Sequence, residues 1–134
     1  MPLVRVDLIK GRSAGEVRDL ALAIHEALVD VMKIPIRDRF QIVTQHEPFE
    51  IYAEDAGLGF ERDNSVVMIQ ITSQQGRSAS EKQMIFQAIA SKLTRVGVTP
   101  NNVFISYVEN TSSDWSFGFG KAQFAIGELT PYSA

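Results

Sequence analysis

The sequence predicts an α/β (α+β) protein in which a tandem β-α-β repeat forms one four-stranded mixed sheet with two helices on one face. Two observations support this fold class. The letters GRSA occur at 11–14 and again at 76–79, and Pro35 and Pro100 are separated by the same distance along the chain. In both copies an apolar stretch precedes the glycine and another follows the proline. This shared order of elements indicates an internal duplication.

Each GRSA copy is predicted to start a helix. Ser13 is followed by Glu16, and Ser78 is followed by Glu81. Both pairs have the S-x-x-E spacing of a capping box, in which the serine and glutamate side chains satisfy backbone amides at the helix start. The preceding glycine allows the sharp change of direction from strand to helix.

The two helices are predicted over 14–32 and 79–95, and Gly97 is expected to end the second. Their apolar residues recur at helical spacing: Val17, Leu20, Ala21, Ile24, Leu28 and Val31 in the first helix, and Ile85, Ala88, Ile89 and Leu93 in the second. The flanking apolar stretches are predicted strands: "PLVRVDLIK", "FQIVTQ", "SVVMIQITS" and "VFISYVEN".

The chain is predicted to form one domain over 1–134, with β-α-β units at about 2–45 and 66–109 and a C-terminal tail at 110–134. The stretches "EIYAED" and "AQFAIGEL" are expected to add short strands or hairpins. A sheet with helices on one face only leaves its other face uncovered, and oligomerisation is the natural way to bury that face.

Composition narrows the function classes. The net charge is −3 and no basic run stands out, which argues against a nucleic-acid partner. There is no cysteine, and no apolar run reaches membrane-spanning length, so we expect a cytoplasmic protein without a membrane partner. His25, within the first helix, and His46, expected in the loop after the second strand, are too few for a metal site.

Four stretches carry a resemblance to a known family: "MPLVRVDLI", "IPIRDRFQIVTQHEP", "EDAGLGFER" and "ENTSSDWSFGFGKAQF". A duplicated β-α-β unit of this size, with proline directly after the initiator methionine, resembles the tautomerase superfamily. The combination of this proline with "RDRFQ" and "DWSFG" is similar to the malonate semialdehyde decarboxylase family within it.

The resemblance implies a homotrimeric enzyme that acts on a small oxo acid without a cofactor or metal, through the amine of an N-terminal proline. The residues that match the family's site are Pro2, Asp38, Arg77 and an aromatic wall of Trp115, Phe117 and Phe124. The family's decarboxylases carry a second arginine two residues before the position of Arg77. Here that position is Gln75, preceded by Gln74, and Gln75 is therefore a candidate substrate-binding residue. This departure predicts weak decarboxylation of malonate semialdehyde and easier hydration of unsaturated oxo acids.

Pro2 becomes a secondary amine if Met1 is removed, and such an amine is a base when neutral and an acid when protonated. Nearby aromatic rings favour the neutral amine, whereas a close Asp38 carboxylate favours the protonated one. The alternative interpretation is a proline that merely begins an edge strand.

Asp38 and Arg77 also have two interpretations each. Asp38 could activate a water or hold a protonated amine, or it could form a weak surface pair with Arg37 or Arg39. Arg77 could bind a carboxylate beside a helix N-terminus. Arg12 holds the same place in the first copy, and it is interpreted as a surface arginine that the duplication preserved.

The sequence leaves the activity open among decarboxylation, hydration and enol–keto tautomerisation. A non-enzymatic trimer that binds a ligand or a protein through the same pocket is the alternative from another class. Removal of Met1 and turnover of an oxo acid distinguish the enzyme from the binding protein.

Overall fold

The computed structural model of the chain describes residues 1–132, and its strands form one four-stranded sheet. The elements are β1 (Leu3–Ile9), α1 (Ala14–Met32), β2 (Phe40–His46), β3 (Val67–Gln74), α2 (Ala79–Arg95) and β4 (Val103–Asn110). The sheet order is β2-β1-β3-β4. β1 pairs with β2 and β3 with β4 in parallel, while β1 and β3 run antiparallel. The predicted four-stranded mixed sheet is confirmed.

Both capping boxes are present, and both helices have the predicted bounds. The Glu16 amide donates to Ser13 Oγ at 3.1 Å, and the Glu81 amide donates to Ser78 Oγ at the same distance. The preceding glycines, Gly11 and Gly76, have φ angles of +140° and +120°. These angles lie in a region that glycine adopts readily and other residues avoid. The repeated letters therefore have a local structural role in both copies.

The core lies between the helices and one face of the sheet. Alternate residues of the two central strands point into it, as expected for strands with one covered face. The most deeply buried of these side chains belong to both repeats: Val4, Val6 and Leu8 of β1, Val67, Ile69 and Ile71 of β3, Leu20, Ile24 and Leu28 of α1, and Ile85, Ile89 and Leu93 of α2. The opposite face leaves Ile42, Phe104 and Val108 exposed.

Two expectations about minor elements are wrong. Neither "EIYAED" nor "AQFAIGEL" forms a strand, and the amides after the first stretch bond locally instead. Glu50 ends a short 3₁₀ helix that begins at Pro48. At the other end of the stretch, the Asp55 carboxylate accepts from the backbone N–H groups of Gly57, Gly59 and Phe60, so a turn follows directly. His46 is the last residue of β2 rather than a loop residue, because β2 stays in register with β1 as far as Ile9.

The other histidine, His25, is buried in α1 as predicted, and its Nε2 lies 2.7 Å from the Ile36 carbonyl oxygen. Across residues 1–132, no helix combines the length and the apolar character needed to cross a membrane. The cytoplasmic location stays a prediction.

Candidate functional site

A cavity of about 420 Å³ opens where the end of α1, the start of α2 and the C-terminal tail meet. Most of its wall comes from three segments of the chain. The segment at 32–40 contributes Met32, Lys33, Ile34, Pro35, Arg37, Asp38 and Phe40, the segment at 73–77 contributes Ser73, Gln74 and Arg77, and the tail contributes Phe117, Phe124, Leu129, Thr130 and Tyr132. Met1 completes the wall, so the chain terminus lies at the cavity.

The terminal amine is paired with Asp38. The Met1 nitrogen contacts Asp38 Oδ2, and this carboxylate is mostly buried. Lys33, which caps the end of α1, has a left-handed φ of 57°, and the Asp38 amide then donates to the Pro35 carbonyl at 2.9 Å. This turn directs the carboxylate at the amine. Within residues 1–132, Asp38 forms no ion pair with either neighbouring arginine, and Arg39 instead donates to Gln41 at 2.8 Å.

The charge of the terminal amine depends on its surroundings. Burial and, secondarily, the positive charge of Arg77 lower the pKa of the Met1 amine from 8.0 to about 5. The Asp38 carboxylate acts in the opposite direction, because an adjacent negative charge favours the ammonium form. Pro2 is buried next to Met1 and does not itself line the cavity.

Arg77 is the buried cationic residue of the site. Its side chain is only 6% exposed, and its Nη2 donates to the Met32 carbonyl at 3.2 Å. Its Nη1 lies 3.4 Å from Glu81 Oε2, and a guanidinium has five N–H donors, so donors remain for a ligand carboxylate. Arg12 holds the same place in the first repeat, but it donates to the Ser65 carbonyl at 2.7 Å and does not line the cavity.

Phe117 is the centre of the aromatic wall. Its ring lies 5.5 Å from Phe124, 5.6 Å from Phe40 and 5.9 Å from Trp115, centroid to centroid. Phe117, Phe124 and Phe40 line the cavity, whereas Trp115 stacks behind Phe117. The side chain of Gln123 holds this loop closed, because it accepts from the Phe117 amide and donates to the Gly118 carbonyl.

The structure therefore brings Asp38, Arg77, Phe117 and Phe124 together, and it does not bring Gln75 to the cavity. Gln75 is exposed, and the neighbouring Gln74 is the buried residue that lines the site. Gln75 lies in the bend that follows β3, where its backbone amide donates to the Asn110 carbonyl at 2.7 Å.

Sequence reasoning missed Arg37 and Tyr132, which both line the cavity. Arg37 lies beside Asp38 in "IRDRF", and this proximity was an available signal. Tyr132 offered no local signal. Its ring lies 4.0 Å from the Arg77 guanidinium carbon although the two residues are far apart in the chain.

The fold and site define a class: a tandem β-α-β protein whose terminal amine faces a carboxylate and a buried arginine in an aromatic pocket. The chain belongs to the tautomerase family. A family model described as "Tautomerase enzyme" matches residues 38–118, and a second with the same description matches residues 2–61.

Named relatives cover almost the whole chain. "Probable tautomerase YrdN" from Bacillus subtilis (strain 168) is 38% identical over 130 residues, which are 96% of this chain and 100% of that protein. "Probable tautomerase YusQ" from the same organism is 34% identical over 124 residues, which are 92% of this chain and 98% of that protein.

Solved structures agree with the fold. FG41 malonate semialdehyde decarboxylase inhibited by 3-bromopropiolate has a TM-score of 0.95 and 52% identity, covering 97% of this chain and 99% of that chain. A second malonate semialdehyde decarboxylase, solved in wild-type, mutant and inactivated forms, has a TM-score of 0.92 and 39% identity, covering 96% and 99%. The resemblance to the malonate semialdehyde decarboxylase family is thus supported.

Proposed function

We propose that this chain is a cofactor-independent enzyme that uses the amine of an N-terminal proline on small oxo acids. Its reactions are a malonate semialdehyde decarboxylase-like cleavage and the hydration of unsaturated oxo acids. One observation supports this most directly: a terminal amine, the Asp38 carboxylate and the Arg77 guanidinium converge on one cavity. Loss of Met1 would present the Pro2 nitrogen to that cavity as a secondary amine.

In decarboxylation, Arg77 binds the carboxylate of a 3-oxo acid while the protonated Pro2 amine donates a hydrogen bond to the 3-oxo oxygen. The bond between the carboxylate carbon and C2 breaks, and its electron pair moves toward the polarised carbonyl to form an enolate. Carbon dioxide leaves, and C2 then takes a proton to give the aldehyde or ketone. The aromatic wall of Phe117 and Phe124 excludes water, which strengthens both polar contacts.

In hydration, Arg77 binds the carboxylate of an unsaturated oxo acid and Asp38 accepts a proton from a water molecule. The water oxygen adds to the carbon β to the carbonyl, and the electron pair moves toward the carbonyl oxygen. The α carbon then takes a proton from the Pro2 ammonium. The protein solved at 39% identity is described with both decarboxylase and hydratase activities, which supports treating the two reactions together.

Enol–keto tautomerisation is the second candidate, and a specific observation favours it. Burial and the positive charge of Arg77 lower the pKa of the Met1 amine to about 5, and a lowered pKa raises the fraction of neutral amine that can accept a proton. Both Bacillus subtilis relatives carry the name "Probable tautomerase". A base mechanism gains rate as pH rises through the pKa of the amine, whereas an acid mechanism loses rate over the same range. The pH profile of turnover therefore separates tautomerisation from decarboxylation.

We further propose that the functional unit is a homotrimer. The sheet face opposite the helices carries exposed apolar side chains, including Ile42, Phe104 and Val108. Burying this surface removes apolar area from water, at roughly 25 cal/mol per Å². Light scattering at micromolar concentration is expected to give three times the mass of one chain. A monomer at that concentration would contradict the proposal.

The proposed function is tested by mass and turnover together. Intact-mass analysis is expected to show a main species that lacks one methionine residue. A panel of saturated and unsaturated small oxo acids is expected to include at least one substrate. 3-Bromopropiolate, the inhibitor of the protein solved at 52% identity, is expected to add covalently to the peptide that begins with Pro2.

The alternative, a non-enzymatic binding protein, predicts the opposite result in each measurement. A chain that retains Met1, converts no oxo acid and takes no label at Pro2 is a binding protein, and that combination would rule out the proline mechanism.

A further inference from the structure

The C-terminal tail packs directly on the arginine of the site. The ring centroid of Tyr132 lies 4.0 Å from the guanidinium carbon of Arg77, which is the geometry of a cation–π contact. The Tyr132 hydroxyl donates to the Glu81 carboxylate, with oxygen–oxygen distances of 3.2 and 3.3 Å. Glu81 in turn contacts Arg77 at 3.4 Å. The three side chains thus form a closed set of contacts around one guanidinium.

The side chain of Gln74 bonds to the backbone of this tail. Its Nε2 donates to the Tyr132 carbonyl at 2.8 Å, and its Oε1 accepts from the Tyr132 amide at 3.2 Å. Gln74 is only 7% exposed, so water competes little for these two bonds. The ring also packs close to Gly76, where a Cβ would lie 3.4 Å from two carbons of Tyr132.

The protonation states suit this arrangement. Hydrogen bonding from the Ser78 amide is the main reason that the pKa of Glu81 lies below its usual value, so the carboxylate is ionised at neutral pH. Burial and the hydrogen bond to Glu81 raise the pKa of Tyr132, so its hydroxyl keeps its proton. The hydroxyl is therefore a donor and the carboxylate an acceptor across the neutral range.

We propose that Tyr132 is a positioning residue that fixes the Arg77 guanidinium toward the cavity, and that Gln74 acts through the Tyr132 backbone. A free arginine side chain samples many rotamers, and a contact on its flat face reduces that freedom before a ligand arrives. The Tyr132 ring lies against the guanidinium, and the N–H groups of Arg77 that bond to neither Met32 nor Glu81 remain to meet a carboxylate. This inference rests on the proposed function only for the nature of the ligand.

The test compares Tyr132→Phe, which keeps the ring, with Tyr132→Leu, which removes it. Phenylglyoxal modifies accessible arginines, and peptide mapping reports its rate at Arg77 alone. Loss of the ring is expected to raise that rate roughly tenfold, a factor within the range of a desolvated cation–π contact. KM for a converted oxo acid is expected to rise by a similar factor in Tyr132→Leu while kcat changes less, and Tyr132→Phe should stay close to the parent.

Gln74→Met removes the two bonds to the tail, and Gln87→Met is its matched control because Gln87 is an exposed residue on α2. The first is expected to raise the Arg77 modification rate and the second to leave it unchanged. An unchanged rate in Tyr132→Leu, or equal disturbance by Tyr132→Phe, would overturn the stacking role. If the parent converts no oxo acid, the proposed function fails, while the modification rate still decides whether Tyr132 positions Arg77.

Discussion

Arg77→Ala is expected to lower kcat/KM for any converted oxo acid by roughly 100-fold or more, the scale seen when a charge-stabilising donor is removed from an active site. The loss should appear both in KM, because the carboxylate loses its bidentate partner, and in kcat, because a loosely held substrate adopts fewer reactive poses. Steady-state kinetics on the best substrate of the oxo-acid panel measures both.

The duplication supplies a matched control for this variant. Arg12 occupies the same place in the first capping loop, but its guanidinium bonds to the Ser65 carbonyl outside the cavity. Arg12→Ala is therefore expected to leave kcat/KM close to the parent value. Equal losses in the two variants would assign the effect to the folding of the loops. Unchanged kinetics in Arg77→Ala would exclude Arg77 as the residue that binds the substrate carboxylate. Thermal unfolding of both variants checks that each retains its fold.

Pro2→Ala is expected to lower kcat about 100-fold, at the lower end of the 10²–10⁴ range for general acid–base groups. The substitution replaces a secondary amine by a primary one and keeps a small residue after Met1, so removal of Met1 stays favoured. Intact mass and kcat, measured on the same preparation, link the chemical state of the terminus to turnover.

The control for Pro2→Ala is Asp38→Asn, which leaves the amine intact and removes the carboxylate that contacts it. Asp38→Asn is expected to lose hydration while it keeps labelling by 3-bromopropiolate, since the amine remains the nucleophile. Full turnover in Pro2→Ala would exclude the terminal amine from the mechanism, whatever the Asp38 variant does.

Much of the fold could be predicted from short stretches of the sequence. The capping boxes at Ser13 and Ser78 depend on residues three apart, and both helices begin and end at the predicted residues. The stretch at 50–55 was predicted wrongly: Glu50 ends a short 3₁₀ helix, and Asp55 bonds to the backbone amides of the turn that follows. A pattern of alternating apolar residues does not reveal that a side chain bonds to the backbone in place of a neighbouring strand.

The residues of the site could be predicted only in part. Its charged residues came from the family resemblance, and the structure places Asp38 and Arg77 at one cavity. The sequence did not indicate that Gln74 rather than Gln75 lines the cavity, because Gln74 is held there by two bonds to the backbone of Tyr132, which is far away in the chain.

The sequence by itself determined the duplicated β-α-β plan, the helix bounds and the glycines that start each helix, since each depends on neighbours within a few residues. The family resemblance had already favoured Arg77 over Arg12, whereas only the tertiary structure decided that Gln74 lines the cavity and that Tyr132 packs against Arg77. The physical reason is distance along the chain. The antiparallel pairing of β1 with β3 joins the two repeats, and the tail reaches Arg77 through irregular backbone, which has no period that a sequence pattern could reveal.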